Sequence, residues 1–315
     1  MRIMSLTSFF SATVARAGRA IAGTALGLAL TAAVALPLLT PAPAHAQDAA
    51  PALWVVRDAD STIYLFGTVH VLKPGTDWAS ARVDQAFDSA QDVWFEIDNP
   101  DDTAAIMPLI QQHGLSMDRP LSSLLTADEI ARLDVAARAI GASAAQMDPL
   151  RPWFAGLTLS MAPLTKAGYD PASGVELTLL ARAKTAGKSI HAFESLEQQV
   201  RMLAEMPEDM QLGFLRSTLH DYDRAAEMLD GMVAAWRTGD TETLDAVMVE
   251  EMARDYPALY RIMLTDRNAD WANQIEERLK GSGVTFVAVG AGHLVGDTSV
   301  QTFLARKGIT AARVE

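Results

Sequence analysis

Ser61-Thr-Ile-Tyr-Leu-Phe-Gly-Thr-Val-His70 is the stretch on which the reading of the fold turns. Ile63 to Phe66 is an unbroken apolar run, the pattern of a buried strand, and Gly67 interrupts it. His70 is left in the turn just past the strand's carboxyl end. The pattern returns near the other end of the chain, as Thr285-Phe-Val-Ala-Val-Gly290-Ala-Gly-His293. Each is an apolar strand followed by Gly-x-x-His, and a glycine ahead of each histidine predicts a tight turn that aims the ring across the top of a sheet.

Outward from the first stretch, Leu53-Trp-Val-Val-Arg57 predicts a partner strand, with Asp58-Ala-Asp60 as the hairpin turn. Ser80 to Ala90 reads as a helix and Asp92-Val-Trp-Phe-Glu-Ile-Asp98 as the next strand, ending in acids. From Asp101 to Met161 the chain turns helical, with Thr126-Ala-Asp-Glu129 as a capping box. Ser173-Gly-Val-Glu176 opens another helix, in which Glu176 is the third residue of a Ser173 capping box. Ser189-Ile-His-Ala-Phe-Glu194 is a strand, again ending in an acid, and residues from about 197 to 280 form a long helical insertion. After Thr285 to Val289 come a helix over Thr298 to Ala305 and a closing strand over Thr310 to Val314. The fold class is therefore α/β, a layered fold with a mixed central β-sheet.

Residues 1–46 stand apart. Arg2, Arg16 and Arg19 give a basic start, Ala20 to Leu39 is apolar or small, and Pro41-Ala-Pro-Ala-His-Ala46 supplies a breaker and an Ala-x-Ala cleavage pattern. That is a secretory signal peptide with a long basic region; its rival is an uncleaved membrane anchor. A periplasmic or secreted location follows, with residues 47–315 as the mature domain. The chain has no cysteine, which excludes disulfides, thiolate ligands and a cysteine nucleophile. Its formal charge of −13 becomes −16 once the three leader arginines are lost, which argues against nucleic acid and anionic membrane surfaces.

His70, Glu96, Glu194 and His293 each fall at or just past a predicted strand end, where sites gather in layered α/β folds. Imidazole and carboxylate together suit divalent Mn, Co, Zn or Fe. Glu96 emerges from the apolar run Val93-Trp-Phe95, so it needs a metal, an arginine or a shifted pKa unless it is a solvated edge residue beside Asp98. Glu194 shows the same pattern, with a helix start at Ser195 as its plainer explanation. Arg267 opens a predicted helix whose first turn prefers acids. It is either a binder of a substrate carboxylate or oxyanion, or a surface arginine paired with Asp266 or Asp270. His113, His191 and His220 read as structural. Gly290-x-Gly292-x-x-x-Gly296 is too long for a dinucleotide fingerprint, Gly187-Lys-Ser189 is not a P-loop, and neither His-Glu-x-x-His nor Gly-x-Ser-x-Gly occurs.

From Ala52 to Glu315 the chain resembles the TraB/GumN family, related to the Tiki metalloproteases. The carriers are Tyr64-Leu-Phe-Gly-Thr-Val-His70, Trp94-Phe-Glu96, Arg151-Pro-Trp153, Gly168-Tyr-Asp170 with Gly174-Val-Glu176, Phe193-Glu-Ser-Leu-Glu-Gln198, Trp236-Arg-Thr-Gly-Asp240, Arg267-Asn268 and Val289-Gly-Ala-Gly-His-Leu294. The resemblance implies paired Gly-x-x-His motifs with acidic partners at a divalent-metal site on a mixed sheet. For Tiki proteins the implied activity is metal-dependent cleavage near the amino terminus of a protein substrate, with Mn or Co favoured. It also raises Glu176 and Arg267, which fall inside family motifs, although relatives often carry Asp where this chain has the longer Glu176.

These readings predict an exported metal-dependent hydrolase acting on a peptide or protein substrate. His70, His293, Glu96, Glu176 and Glu194 are the candidate ligands, and Glu96 and Arg267 the candidate catalytic groups. Two other classes stand beside it: a non-catalytic periplasmic binder of a peptide or haem-like ligand, and an accessory protein of exopolysaccharide export.

Overall fold

The computed structural model describes residues 49–97 and 103–315; the segment read as a leader, and Asp98, lie outside them. Leu53–Arg57 (β1) and Ser61–Thr68 (β2) form the expected antiparallel hairpin. Asp58 closes its turn by accepting the backbone N–H groups of Asp60 and Ser61. Asp92–Ile97 (β3), Ser189–Glu194 (β4), Gly283–Gly290 (β5) and Ala312–Arg313 (β6) complete a sheet of order β4-β3-β5-β2-β1-β6. β4, β3, β5 and β2 are mutually parallel, while β1 pairs antiparallel with β2 and β6, so the sheet is mixed. The closing strand is shorter than Thr310 to Val314, because only Ala312 and Arg313 pair with β1.

Alternation along the strands makes two apolar faces. On one, Phe66, Phe95, Phe286 and Ala288 pack against the helices Ala81–Ser89, Val175–Ala186 and Ala225–Thr238, through Phe87, Leu179 and Trp236 among others. On the other, Ile63, Leu65, Val287 and Val289 pack against Asp266–Leu279 and Val300–Arg306 through Trp271, Ile275 and Leu304. The result is a helix–sheet–helix layering in which the four parallel strands are covered on both sides, as parallel strands require.

The remaining helices make a separate core. Pro152–Lys166 packs on Glu208–Asp221 and Ala127–Ala139 around Leu133, Ala155, Leu159 and Leu215. A neighbouring cluster joins Ile110, Trp153, Val200 and Met206. The helical insertion expected over about 197–280 is thus only part of this body: the helices between β3 and β4 supply the other part. Its last helix, Asp266–Leu279, belongs to the sheet layers instead. Among the described residues no helix is long and apolar enough to cross a membrane.

One close approach fixes the loop after β2. Val175 donates its backbone N–H to the Val69 carbonyl, and Asp170 donates to that of Leu72. A methyl group at Gly174 would sit 2.2 Å from the His70 carbonyl oxygen, so only glycine fits there although its φ of −60° suits any residue. Gly174→Ala is therefore expected to lower stability by about 2 kcal/mol. Gly231→Ala, at an open position within Ala225–Thr238, should raise it by about 0.5–1 kcal/mol. Denaturant midpoints at constant m-value measure both.

Candidate metal centre

Four parallel strands end at one edge of the sheet, and each delivers one group there. In spatial order they are Glu194 from β4, Glu96 from β3, His293 from the turn Ala291–Leu294 after β5, and His70 from the turn after β2. The two faces add the rest, with Glu176 from Val175–Ala186 on one side and Arg267 and Asn268 from Asp266–Leu279 on the other.

The two motif glycines are needed for space. Neither has a positive φ, so the tight-turn explanation does not hold. A methyl at Gly290 would stand 3.1 Å from Glu96 Oε1, 3.4 Å from His70 Nε2 and 3.6 Å from His293 Cδ2. Three site side chains thus converge over that Cα. At Gly67 a methyl would meet Ala291 Cα at 3.0 Å, and Trp236 Nε1–H donates to the Gly67 carbonyl at 2.8 Å.

His70, Glu96 and Glu176 each place one ligand atom so that all lie within 4.8 Å of one another. His70 sits on the rim, its side chain 64% exposed, with Nδ1 2.6 Å from Glu176 Oε2. The other oxygen of Glu176 accepts the Thr68 hydroxyl at 2.7 Å. Glu176 is therefore no cap: Ser173 lies in a 3-10 turn, Pro171–Ser173, and Gly174 occupies the position before the helix. One imidazole and two carboxylates, with no thiolate, fit Mn, Fe, Co or Zn.

Glu96 is buried, which removes the solvated-edge alternative. Its Oε1 accepts the Gly290 N–H at 2.8 Å and its Oε2 accepts Arg267 Nη2–H at 2.7 Å. Burial alone would raise its pKa. The field of His293 once acid protonates it, those of Arg267 and His70, and the Gly290 bond outweigh burial and hold the carboxyl well below the usual range. Burial lowers His293 from 6.5 to about 3 and leaves it neutral. Glu176 lifts His70 from 6.5 to about 9, with Glu96 adding to the rise and Arg267 opposing it.

Arg267 is neither at a helix start nor on the surface. Pro257–Tyr260 and the π-helical turn Arg261–Thr265 run directly into Asp266–Leu279, so there is no exposed first turn for acids to prefer. Its guanidinium engages both oxygens of Glu194, from Nε at 2.8 Å and Nη2 at 3.0 Å, and stacks on Trp271. Nη1 donates to the Met263 carbonyl and to His293 Nε2, each at 3.1 Å. The two acids expected to pair with it are engaged elsewhere: Asp266 pairs with Arg261, and Asp270 accepts from Gln274. Glu194 also accepts from Trp271 Nε1 and Gln199 Nε2, so both its oxygens are committed to holding Arg267 in place. Ser195 caps Leu196–Ala204 behind it, as expected.

The model of the TraB/PrgY/gumN family matches residues 52–313, the span that carries all of these groups. The chain belongs to that family. Among its relatives, an uncharacterized protein of Treponema pallidum is 22% identical over 286 residues, covering 84% of this chain and 86% of its own. The uncharacterized protein YbaP of Escherichia coli is 25% identical over 184 residues, 58% of this chain and 67% of its own, and YbaP of Shigella flexneri matches equally. No solved structure matches.

Sequence reasoning gave no role to Thr68, Gln199, Asn268 or Trp271. Thr68 and Asn268 carried a signal, as members of the motifs that hold His70 and Arg267, while Trp271 lies one helical turn beyond Arg267.

Two outcomes follow for the metal-free protein. His70 should titrate near 9 by NMR and return toward 6.5 in Glu176→Gln. Because the folded value is raised, the pair's stabilisation is present below pH 6.5 and lost as pH rises through 9, a loss the variant should lack. Arg267→Met should cost about 3–5 kcal/mol at pH 7, since it leaves Glu96 and Glu194 buried and unpaired. As Glu96 is depressed below 4.5 in the parent, the gap should narrow on acidification below that value, measured by denaturation across pH.

Proposed function

We propose that this chain is an exported, divalent-metal-dependent hydrolase of peptide bonds. The observation that carries the proposal is the meeting of His70, Glu96 and Glu176 ligand atoms within 4.8 Å at the carboxyl ends of parallel strands. These three residues would hold the ion, with Mn, Co, Zn or Fe as the candidates. A divalent ion supplies Lewis acidity to a scissile carbonyl and acidifies a water at neutral pH.

The chain's own residues do the remainder. Glu96 stays ionised and offers Oε1 to the centre while Arg267 and Gln199 hold Oε2. Thr68 and His70 fix the two oxygens of Glu176. Arg267 contributes a buried positive charge beside the centre, which favours negative charge developing on a substrate oxygen. The exposed ring of His70 forms the open side by which substrate enters. Export rests on the basic, apolar and Ala-x-Ala pattern of residues 1–46.

The test is the metal content of residues 47–315 purified without chelator, beside His70→Ala and Glu176→Ala. About one ion per chain is expected in the parent and none in the folded variants. Cleavage of a peptide library by the loaded parent should fall by a factor of about 100 or more in both. A parent that carries no ion, and whose melting temperature does not rise with added Mn, Co or Zn, would sink the proposal. Stoichiometric peptide binding without turnover would point instead to the binder.

A further inference from the structure

The two Gly-x-x-His units look alike in sequence, yet their histidines are held in opposite ways. His70 is on the rim and has one ring nitrogen engaged, by Glu176. His293 is 4% exposed and has both engaged. Its Nδ1 lies 2.5 Å from Asn268 Oδ1, and its Nε2 lies 3.1 Å from Arg267 Nη1.

The neighbours fix the proton. Asn268 Nδ2 donates to the Thr298 carbonyl at 2.7 Å, and a carbonyl only accepts, so the amide faces the imidazole with its oxygen. Nδ1 must therefore carry the hydrogen. A guanidinium has no lone pair to offer, so Nε2 must accept. Both partners demand the same neutral tautomer, and the lone pair an ion would need is already given to Arg267.

Arg267 cannot easily withdraw. All five of its N–H groups are committed, to Glu194 twice, to Glu96, to the Met263 carbonyl and to His293, and its plane rests on Trp271. The group of ligand atoms that close on one point contains His70, Glu96 and Glu176, without His293.

We infer that His293 is not a metal ligand but a positioning residue: an imidazole bridge, set by Asn268, that holds the guanidinium of Arg267 against Glu96. The two copies of one motif have divided their work, the first histidine serving the ion and the second serving the arginine. This deepens the metal-centre reading and rests on it for the role of His70.

The experiment is imidazole ¹⁵N NMR of the protein with and without Zn²⁺, together with Zn²⁺ affinity of the variants. His293, assigned by its loss in His293→Gln, should appear as a single Nδ1–H tautomer whose Nε2 resonance does not move on Zn²⁺ addition, while His70 resonances do. His293→Gln should keep Zn²⁺ affinity within about threefold, and His70→Ala should lose at least about a hundredfold. Asn268→Asp, which keeps an acceptor, should preserve the tautomer; Asn268→Leu should give a mixture and lower kcat with KM unchanged. A Zn²⁺-induced shift of His293 Nε2, or a folded His293→Gln that loses as much affinity as His70→Ala, overturns the inference. If the parent binds no ion, the hydrolase reading fails by itself. The tautomer then decides this inference alone: a single Nδ1–H form supports it, and a mixed or Nε2–H form refutes it.

Discussion

A guanidinium buried at the edge of a sheet has to be neutralised where it stands, and that requirement organises the site. Arg267 is answered by two carboxylates from adjacent strand ends, Glu96 and Glu194, at 2.7–3.0 Å. An unpaired charge in such a place costs several kcal/mol, so β3, β4 and the helix Asp266–Leu279 are bound to one relative arrangement. Burial works against the charge of Arg267 and is outweighed by the two carboxylates, which raise its pKa. The arrangement also leaves Glu96 ionised in a dry setting. Its second oxygen then faces Gly290, whose missing side chain is the room in which His70 and His293 approach.

Much of the fold was legible because its strands are apolar runs broken by glycine or acid, and because its helices carry local caps such as Thr126 with Glu129 and Ser195 with Gln198. The strand ends gave His70, Glu96, Glu194 and His293 for the same reason: side chains at carboxyl ends of parallel strands share an edge. Local pattern failed where tertiary contact decides. Ser173 and Glu176 have capping-box spacing, but the chain brings Gly174 against the His70 carbonyl, shifts the cap by one residue and frees Glu176 to turn inward. Arg267 looked misplaced at a helix start because a π-helical turn carries the helix through from upstream without a break. Trp271 reaches Glu194 across packing that no short window of sequence contains, and Gln199, although near Glu194 in sequence, reaches it only because the chain turns into a helix at Ser195.

The pairing of charges also separates two kinds of group at this edge. Glu194 and Arg267 have every donor or acceptor they offer engaged by protein, so they behave as framework. His70 sits toward solvent, and among the described residues its ring retains a nitrogen without a protein hydrogen-bond partner, while the buried Glu176 holds the other nitrogen. In the proposed hydrolase, contact with an outside molecule would fall to the second kind, and the precision of the geometry to the first.

The strand order has a consequence for how the molecule comes into being. β5, the last long strand to be synthesised, lies between β2 and β3, which do not pair with each other. Without it, the two halves of the sheet, the β1–β2 hairpin and the β3–β4 pair, share no strand pairing. His70 and Glu176 belong with one half through the loop contacts at Val69, and Glu96 and Glu194 with the other. Without the final strand the acidic and imidazole groups would be divided between two pieces of sheet, and its pairing on both sides is what brings them to one edge. Assembly of the centre is in this sense a readout of chain completion: a truncated product lacks β5 and cannot close it.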